Sequence, residues 1–181
     1  MEIKKLIGAI IGLVALGIGT LYVQSWKKLA PKEGRFSVRM PGITHHEGQT
    51  QSTPAGPVAL HLWQSQAGGV EYFSGYIDFP MNLAEERDLN EIYNLFRDGA
   101  LSKINGQVKS EYSVTLGSHY GREITCAGRH EGESRHAVLR LYLVQGVNRF
   151  YMLGAACLPE REQAAAKDFT RFFDSFDIQG N

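Results

Sequence analysis

The chain has 181 residues, of which 43% are hydrophobic and 21% are charged, a composition typical of globular proteins. Its 19 basic and 19 acidic residues cancel at pH 7, and the basic residues are scattered, which excludes the electrostatic footprint of a nucleic-acid-binding protein. Once residues 1–34 are set aside, the remaining length suits one globular domain.

An apolar segment without charged residues occupies positions 6–23 and comes after a short basic N-terminus, residues 1–5. A helix needs roughly 20 apolar residues to cross a bilayer, so this segment predicts one transmembrane helix and a single-pass membrane protein. Tyr22 and Trp26 are amphipathic aromatic residues of the kind found at membrane interfaces. Two alternatives stay open: a cleaved signal peptide, because an Ala-Leu-Gly sequence inside the segment resembles a cleavage site, and a buried core helix.

Two further features of this segment concern partners and orientation. Gly8 and Gly12 form a GxxxG motif, which predicts homodimerisation through the anchor, with incidental glycines as the alternative. Two lysines precede the segment and four basic residues lie after it within residues 24–35, a count that favours a cytoplasmic domain. An N-terminal anchor that begins with two lysines more usually exports the domain behind it, so we expect the domain on the extracytoplasmic side.

The polar residues 24–34 contain a proline and a glycine, which predicts a linker that reaches at most about 40 Å. The globular domain is expected to occupy residues 35–181. Its first strand is predicted at residues 35–40, where apolar and polar side chains alternate. The polar stretch 43–57 is either a loop or a ragged hairpin.

The rest of the chain predicts further strands and two helices. A Gly-Gly turn between two β-rich stretches indicates a hairpin. Asp88 begins a helix with a capping-box pattern, and Asn105-Gly106 ends it. A four-strand meander and a closing helix with a phenylalanine stripe complete the chain. The predicted strands lie at 58–64, 70–79, 108–116, 120–127, 135–144 and 148–158, and the helices at 89–104 and 160–175.

Cys126 and Cys157 are the only cysteines, so none stands directly after the apolar segment as it would in a lipoprotein. The predicted turns place Cys126 opposite Leu139 and Cys157 opposite Arg135. The two cysteines then lie on strands two apart and are offset by about four residues. A disulfide requires Cα atoms within about 7 Å. We therefore expect two buried free thiols.

Short stretches spread over residues 35–178 carry a family resemblance: FSVRMPG (36–42), YIDFP (76–80), GREI (121–124), RFYML (149–153) and the closing helix into Ser175-Phe176. They resemble the Mog1/PsbP-like fold family. The resemblance implies an α+β domain in which a seven-stranded antiparallel sheet has helices on both faces (α/β/α layers). It also implies that residues 149–157 lie mid-sheet beside residues 70–79. Members are mostly binding or assembly factors, but no Ran-binding or photosystem-specific signature occurs here.

Motifs for common chemistries are missing from the sequence, since GxxxxGKS/T, GxGxxG, HExxH and CxxC do not occur. We therefore predict no catalytic residues, no cofactor and no metal site. Arg140 is the most informative single residue, because it interrupts an otherwise apolar strand and a buried arginine must be paired. We expect it to meet a carboxylate such as Glu71 or Asp78, with a place in a pocket or simple exposure to solvent as the alternatives.

These patterns predict a membrane-tethered, non-enzymatic binding or assembly module of the cell envelope. Its expected partners are the lipid bilayer and an unidentified protein, with no nucleic acid. Two alternatives stay open: a small-ligand carrier, and an uncharacterised hydrolase that uses a cleft in the domain.

Overall fold

The computed structural model describes residues 25–53, 56–79 and 88–179. The apolar segment 6–23 lies outside them, and no helix within them has the length and apolar character needed to cross a membrane. Short 3₁₀ turns occur at Gln145–Val147 and Pro159–Arg161. The other elements are β1 (Trp26–Leu29), β2 (Phe36–Pro41), β3 (His45–Thr53), β4 (Gly56–Ala67), β5 (Val70–Asp78), α1 (Leu89–Lys103), β6 (Gln107–Leu116), β7 (His119–His130), β8 (Glu133–Val144), β9 (Arg149–Cys157), α2 (Glu162–Asp174) and β10 (Asp177–Ile178).

Seven strands form one antiparallel sheet in the order β3-β4-β5-β9-β8-β7-β6. This confirms the seven-stranded antiparallel sheet and the position of β9 beside β5, at the centre. Tyr76, Tyr151 and Tyr142 are direct partners in one cross-strand row through this centre. All but two residues of β9 are buried, because both of its faces are covered.

The three remaining strands form a smaller sheet in the order β1-β2-β10. β2 is the strand predicted at residues 35–40, but it belongs to this smaller sheet. β3 supplies the seventh strand of the large sheet instead. Within the stretch 43–57, residues 45–53 therefore form one strand of a hairpin with β4, paired from His45 opposite Gln64 to Thr53 opposite Gly56.

The linker predicted at residues 24–34 is wrong for residues 26–29, which form β1. Trp26 pairs with Pro41, and Leu29 pairs with Val38. Trp26 and Leu29 are half-buried against the core, whereas the two lysines between them are exposed. The strand was not recognised in the sequence because its apolar residues lie only at its two ends, with the two lysines between them. The domain therefore includes β1 and does not begin at residue 35.

Two apolar layers cover the large sheet, one on each face. On one face, α1 places the Phe96 ring 3.7 Å from the Phe150 ring and nearly parallel to it. On the other face, Phe36 of β2 and Phe176 after α2 each place a ring 5.9 Å from that of Tyr151. The expected helices on both faces are thus α1 and α2, and the smaller sheet completes the α2 layer.

The start of α1 has the predicted cap. One carboxylate oxygen of Asp88 accepts the backbone N–H groups of Asn90 at 2.8 Å and Glu91 at 3.2 Å. These bonds satisfy two amides that the first turn of a helix leaves without partners.

The Tyr93 hydroxyl fixes α1 to the sheet. It donates to the Tyr120 carbonyl at 2.8 Å and accepts the Leu143 N–H at 3.0 Å. The last pair of the β7–β8 ladder is Gly121 opposite Tyr142, so the hydroxyl bonds the two backbone groups just beyond that pair.

A charged network makes a second attachment between α1 and the sheet. The Glu111 carboxylate on β6 accepts from Arg97 of α1 at 2.8 Å and from Arg122 of β7 at 2.5 Å. Arg122 also donates to the side-chain carbonyls of Asn90 and Asn94, both on α1, at 2.8 and 2.7 Å. Helix and sheet are therefore joined by charge-assisted hydrogen bonds at the solvent margin of this core.

Removal of the Tyr93 hydroxyl should destabilise the protein, because two backbone groups would each lose a hydrogen-bond partner. We expect Tyr93→Phe to lower the free energy of unfolding by about 1–3 kcal/mol, measured by denaturant titration of the full chain in mild detergent. Tyr120→Phe is the matched control, because this side chain is 69% exposed. Its effect should stay within about 0.5 kcal/mol, and equal losses in the two variants would argue against the proposed role.

The ion pairs of Glu111 with Arg97 and Arg122 make the stability of the fold depend on pH. Burial alone would raise the pKa of Glu111, but the hydrogen bonds from Arg97 and Arg122 outweigh burial and lower the pKa below 4.5. A carboxylate with a lowered folded-state pKa stabilises the fold above its unfolded-state pKa, and this contribution is lost as the pH falls through the folded-state pKa. Glu111→Gln should therefore cost about 1–2 kcal/mol at neutral pH.

The measurement is the free energy of unfolding of both proteins between about pH 7 and pH 3. We expect the difference between wild type and Glu111→Gln to shrink below pH 4.5, the ordinary value of this carboxyl. A difference that stays constant over the whole range would contradict the assignment.

Candidate functional site

Arg140 lies in a cross-strand row with Glu123 and Tyr112. Its Nε pairs with the Glu123 carboxylate, its Nη1 lies 3.5 Å from Oδ1 of Asp174, and its Cζ lies 4.9 Å from the centre of the Phe173 ring. The Tyr112 hydroxyl donates to Glu123 at 2.5 Å, and this bond to a carboxylate raises the pKa of Tyr112. The Arg140 side chain is 23% exposed and is held by ion pairs beside α2.

The partners suggested for Arg140 from the sequence are wrong. Glu71 lies 3.8 Å from Arg135, and Asp78 pairs with Arg149 at 2.5 Å. The register places Arg140 level with the middle of β5, whereas the two carboxylates lie towards its opposite ends.

A second arginine, Arg149, joins three segments of the chain at the start of β9. Its Nε and Nη2 donate to the two carboxylate oxygens of Asp78 at 2.5 and 2.7 Å, a bidentate pair. Its Nη1 donates to the Glu33 carbonyl at 2.7 Å, and its Cζ lies 4.0 Å from the centre of the Tyr76 ring. Burial opposes the charge of Arg149, but the bonds to Asp78 outweigh burial and raise its pKa. Arg149 therefore fixes the chain before β2 against β5 and β9.

An open cavity of about 490 Å³ lies at this end of the sheet. Its volume falls within the roughly 300–1,000 Å³ typical of ligand pockets. Three of its lining residues are cationic and one is acidic, so it favours an anionic group. The lining residues are Lys32, Glu33, Arg35, Val147 and Arg149. We name this cavity the Arg149 cavity, and it is the candidate functional site.

A row of rings crosses the other half of the sheet. The His46 ring stacks 4.4 Å from that of Trp63, and the His61 ring stacks 4.9 Å from that of Tyr76. His61 Nδ1 and His46 Nε2 are 3.3 Å apart, a hydrogen bond between the two imidazoles. Within the described residues, no three His, Cys, Asp or Glu side chains come together as metal ligands. The stacking of its rings on Trp63 and Tyr76 packs the histidine pair at the β3 edge.

The two thiols are buried and free, as predicted. Cys126 lies opposite Ala137, and Cys157 lies opposite His136, which differs from the predicted register. For Cys126 the difference arises because the β7–β8 turn lies at residues 131–132, one residue earlier than the predicted 132–133. For Cys157 the β8–β9 register differs from the prediction by one residue. Burial raises the pKa of Cys126 to about 11 and also raises that of Cys157. Such thiols carry little thiolate at neutral pH, unlike a catalytic cysteine.

The residues predicted as a membrane anchor are only partly described. Gly8, Gly12 and Tyr22 lie outside the described residues. Trp26 is the first residue of β1, where its ring meets that of Tyr72 edge to face at 5.7 Å. The Cζ of Arg171 lies 4.6 Å from the centre of the Trp26 ring. Trp26 therefore packs on the domain, and its contact with a membrane stays a prediction.

The Asp78–Arg149 pair is the feature of the candidate site that the sequence analysis missed. A signal for it was present. Asp78 lies near the end of one apolar strand, and Arg149 begins another that was expected beside it. In an antiparallel pair, the end of one strand meets the start of its neighbour. Opposite charges at these two positions therefore indicated a cross-strand ion pair.

No protein-family model matches the chain, and no curated protein matches it in sequence. Solved structures do match it. Cyanobacterial PsbP (CyanoP) from Synechocystis sp. PCC 6803 aligns with a TM-score of 0.58 at 9% identity, over 90% of this chain and 97% of that chain. The fold is PsbP-like. This confirms the resemblance stated for the Mog1/PsbP-like family, at the level of fold alone.

Two further structures match less closely. LpqN, involved in cell envelope biogenesis of Mycobacterium tuberculosis, has a TM-score of 0.49 at 12% identity, over 87% of this chain and 92% of its own. The Ran-binding protein Mog1p of Saccharomyces cerevisiae has a TM-score of 0.46 at 9% identity, over 87% of this chain and 97% of its own.

The Arg140–Glu123 pair should behave as a coupled unit. Arg140→Met leaves a mostly buried carboxylate without its cation and should cost about 2–3 kcal/mol of unfolding free energy, somewhat less than the value for a fully buried pair. Arg140→Met with Glu123→Gln should cost less than the sum of the two single changes, by about 1 kcal/mol or more.

The double-mutant cycle is measured by denaturant titration of the full chain in mild detergent. Lys167→Met on the exposed side of α2 is the control and should change stability by no more than about 0.5 kcal/mol. Strict additivity of the two single changes would show that the pair is not coupled.

Proposed function

We propose that the protein is a membrane-tethered, non-enzymatic binding or assembly module of the cell envelope. The apolar segment 6–23 is the tether, and the domain lies on the extracytoplasmic side. The Arg149 cavity is the binding surface for a protein partner.

The Arg149 cavity is the observation that carries this proposal. Lys32 and Arg35 are exposed at its margin. Arg149 forms a fixed part of its wall, because the bidentate pair with Asp78 holds the guanidinium in place. The charge of Arg149 is met by Asp78, so the margin has two cations against the single carboxylate of Glu33. An acidic segment of a partner protein fits this margin best.

The strongly polar groups of the sheet support binding rather than catalysis. Arg140, Arg149 and Arg122 are each paired with a carboxylate of a neighbouring strand. Neither of the two described cavities is lined by Arg140, a histidine or a cysteine. A catalytic site needs a nucleophile or a base that converges on a cleft, whereas the three arginines and their carboxylates join strands.

A small-ligand carrier is the second candidate function. Its support is a cavity of about 330 Å³ that is lined by Leu60, Leu62 and residues 47–49 of β3. The two leucines are buried and give this cavity an apolar floor, as in many small-molecule sites. Retention of a small molecule by the purified chain in native mass spectrometry would favour this alternative.

Site-specific photo-crosslinking in native membranes tests the binding proposal. A photoreactive residue replaces Val147, which lies at the cavity and is 37% exposed. Val108 is the matched control position, because it is an apolar residue that is 40% exposed near the other end of the sheet. We expect a defined protein to be captured from position 147 and not from position 108.

The capture should be lost when Lys32→Glu and Arg35→Glu are added, because the margin would then repel an acidic segment. Capture of the same bands from both positions, or capture that survives the charge reversal, would contradict the proposed binding surface.

The orientation of the domain has its own test. Protease added outside spheroplasts should digest the domain, and protection would place it in the cytoplasm.

A further inference from the structure

We infer that one end of the domain, where β1 begins and β2 ends, lies on the lipid surface in a fixed orientation. This end, which we name the β1 end, consists of residues 25–28 and 41–43. The inference rests on the proposed tether at residues 6–23 and extends it, because it specifies which surface of the domain contacts lipid.

The connection between the apolar segment and the domain is too short for the domain to swing freely. Only Gln24 and Ser25 separate Val23 from Trp26, the first residue of β1. The three steps from Val23 to Trp26 span at most about 11 Å. Ser25 is also bonded to the domain, since its carbonyl accepts the Gly42 N–H at 3.3 Å. The β1 end must therefore stay beside the point where the tether leaves the bilayer.

The β1 end presents an apolar side chain to solvent. Ile43 is 73% exposed, more than any other large hydrophobic residue in the described part of the chain. It comes directly after Gly42, whose φ of 72° turns the chain out of β2. An apolar side chain next to a membrane tether is suited to the boundary between headgroups and acyl chains.

The charges of the β1 end complement an anionic membrane. Lys27 and Lys28 are exposed, and Lys28 lies opposite the exposed Arg39. Neither residues 25–29 nor residues 36–43 contain an acidic residue. The two lysines come directly after Trp26, within about 7 Å along the strand, so their long side chains can reach lipid phosphates.

A neighbouring turn brings one further ion of each sign, Arg161 and Glu160, close to the β1 end. A Cβ on Gly42 would lie 3.0 Å from the Gln66 carbonyl, which places the β4–β5 turn next to the β1 end. Arg161 donates to the Gly68 carbonyl of that turn, and Glu160 precedes it in the chain. The added pair is electrically neutral, so the excess of positive charge comes from Lys27, Lys28 and Arg39.

Depth-dependent fluorescence quenching of the full chain in vesicles tests the inference. An environment-sensitive fluorophore is attached at Ile43→Cys or, as the matched apolar control at the far end, at Val147→Cys. The wild-type chain controls for labelling of the two native thiols, which are buried. With spin-labelled lipid near the headgroups, we expect at least about threefold stronger quenching at position 43 than at position 147.

Charge reversal tests the electrostatic contribution of the two lysines to lipid binding. Lys27→Glu with Lys28→Glu should reduce quenching at position 43 in vesicles that contain phosphatidylglycerol, with little effect in pure phosphatidylcholine. The same loss in both lipids would overturn the role of the lysines in lipid binding.

Flotation of the same vesicles distinguishes the failure of the tether from the failure of docking. A chain that does not float with vesicles overturns the tether, and the inference with it. A chain that floats but is quenched equally at positions 43 and 147 overturns docking and leaves the tether intact. A third outcome is that spin-labelled lipid does not quench the label at position 43 and that the label becomes less accessible to solvent as the number of chains per vesicle rises. A second copy then covers this end, and the inference is wrong.

Discussion

The central strand Arg149–Cys157 must bury both of its faces, and the other layers are arranged to meet that requirement. Apolar side chains on both faces of a strand are stable only if two layers exclude water from them. α1 covers one face by placing Phe96 on Phe150, and β2 with α2 covers the other around Tyr151. β2 is itself almost wholly buried, so it needs partners on both of its edges. β1 and β10 supply these partners, which explains why the residues before β2 belong to the domain.

Two glycines allow aromatic rings to lie across the sheet without displacing its strands. A Cβ at Gly154 would lie 2.1 Å from the Phe73 ring, and a Cβ at Gly121 would lie 2.4 Å from the Tyr142 ring. Each ring belongs to the residue directly opposite its glycine. The rings thus occupy the space that a side chain on the neighbouring strand would fill, which keeps both faces of the sheet close-packed.

Elements with a strong periodic pattern could be predicted from the sequence, including α1 with its Asp88 cap and the closing helix. β1 could not be predicted, and for β3 the sequence left a loop or a hairpin open. Each strand is short or at a sheet edge and exposes polar residues, which weakens the alternation that identifies a strand. The partner of Arg140 depends on register, and a turn one residue earlier than predicted moves each β7 residue to a different partner on β8. The Arg149 cavity could not be predicted, because it is lined by residues that are far apart in the sequence.

The strand found in place of a linker changes what the proposed tether does. A free linker of eleven residues would let the binding surface move over as much as about 40 Å. In the proposed arrangement, β1 holds the β1 end at the lipid, and the Arg149 cavity lies beyond the other end of β2. β2 has six residues, so this distance is about 20 Å. The cavity is then presented at a nearly constant height above the bilayer. A partner anchored in the same membrane, with an acidic segment at that height, would meet it at a high effective concentration. A freely diffusing partner would gain nothing from this geometry, so the proposed arrangement favours a membrane-bound partner.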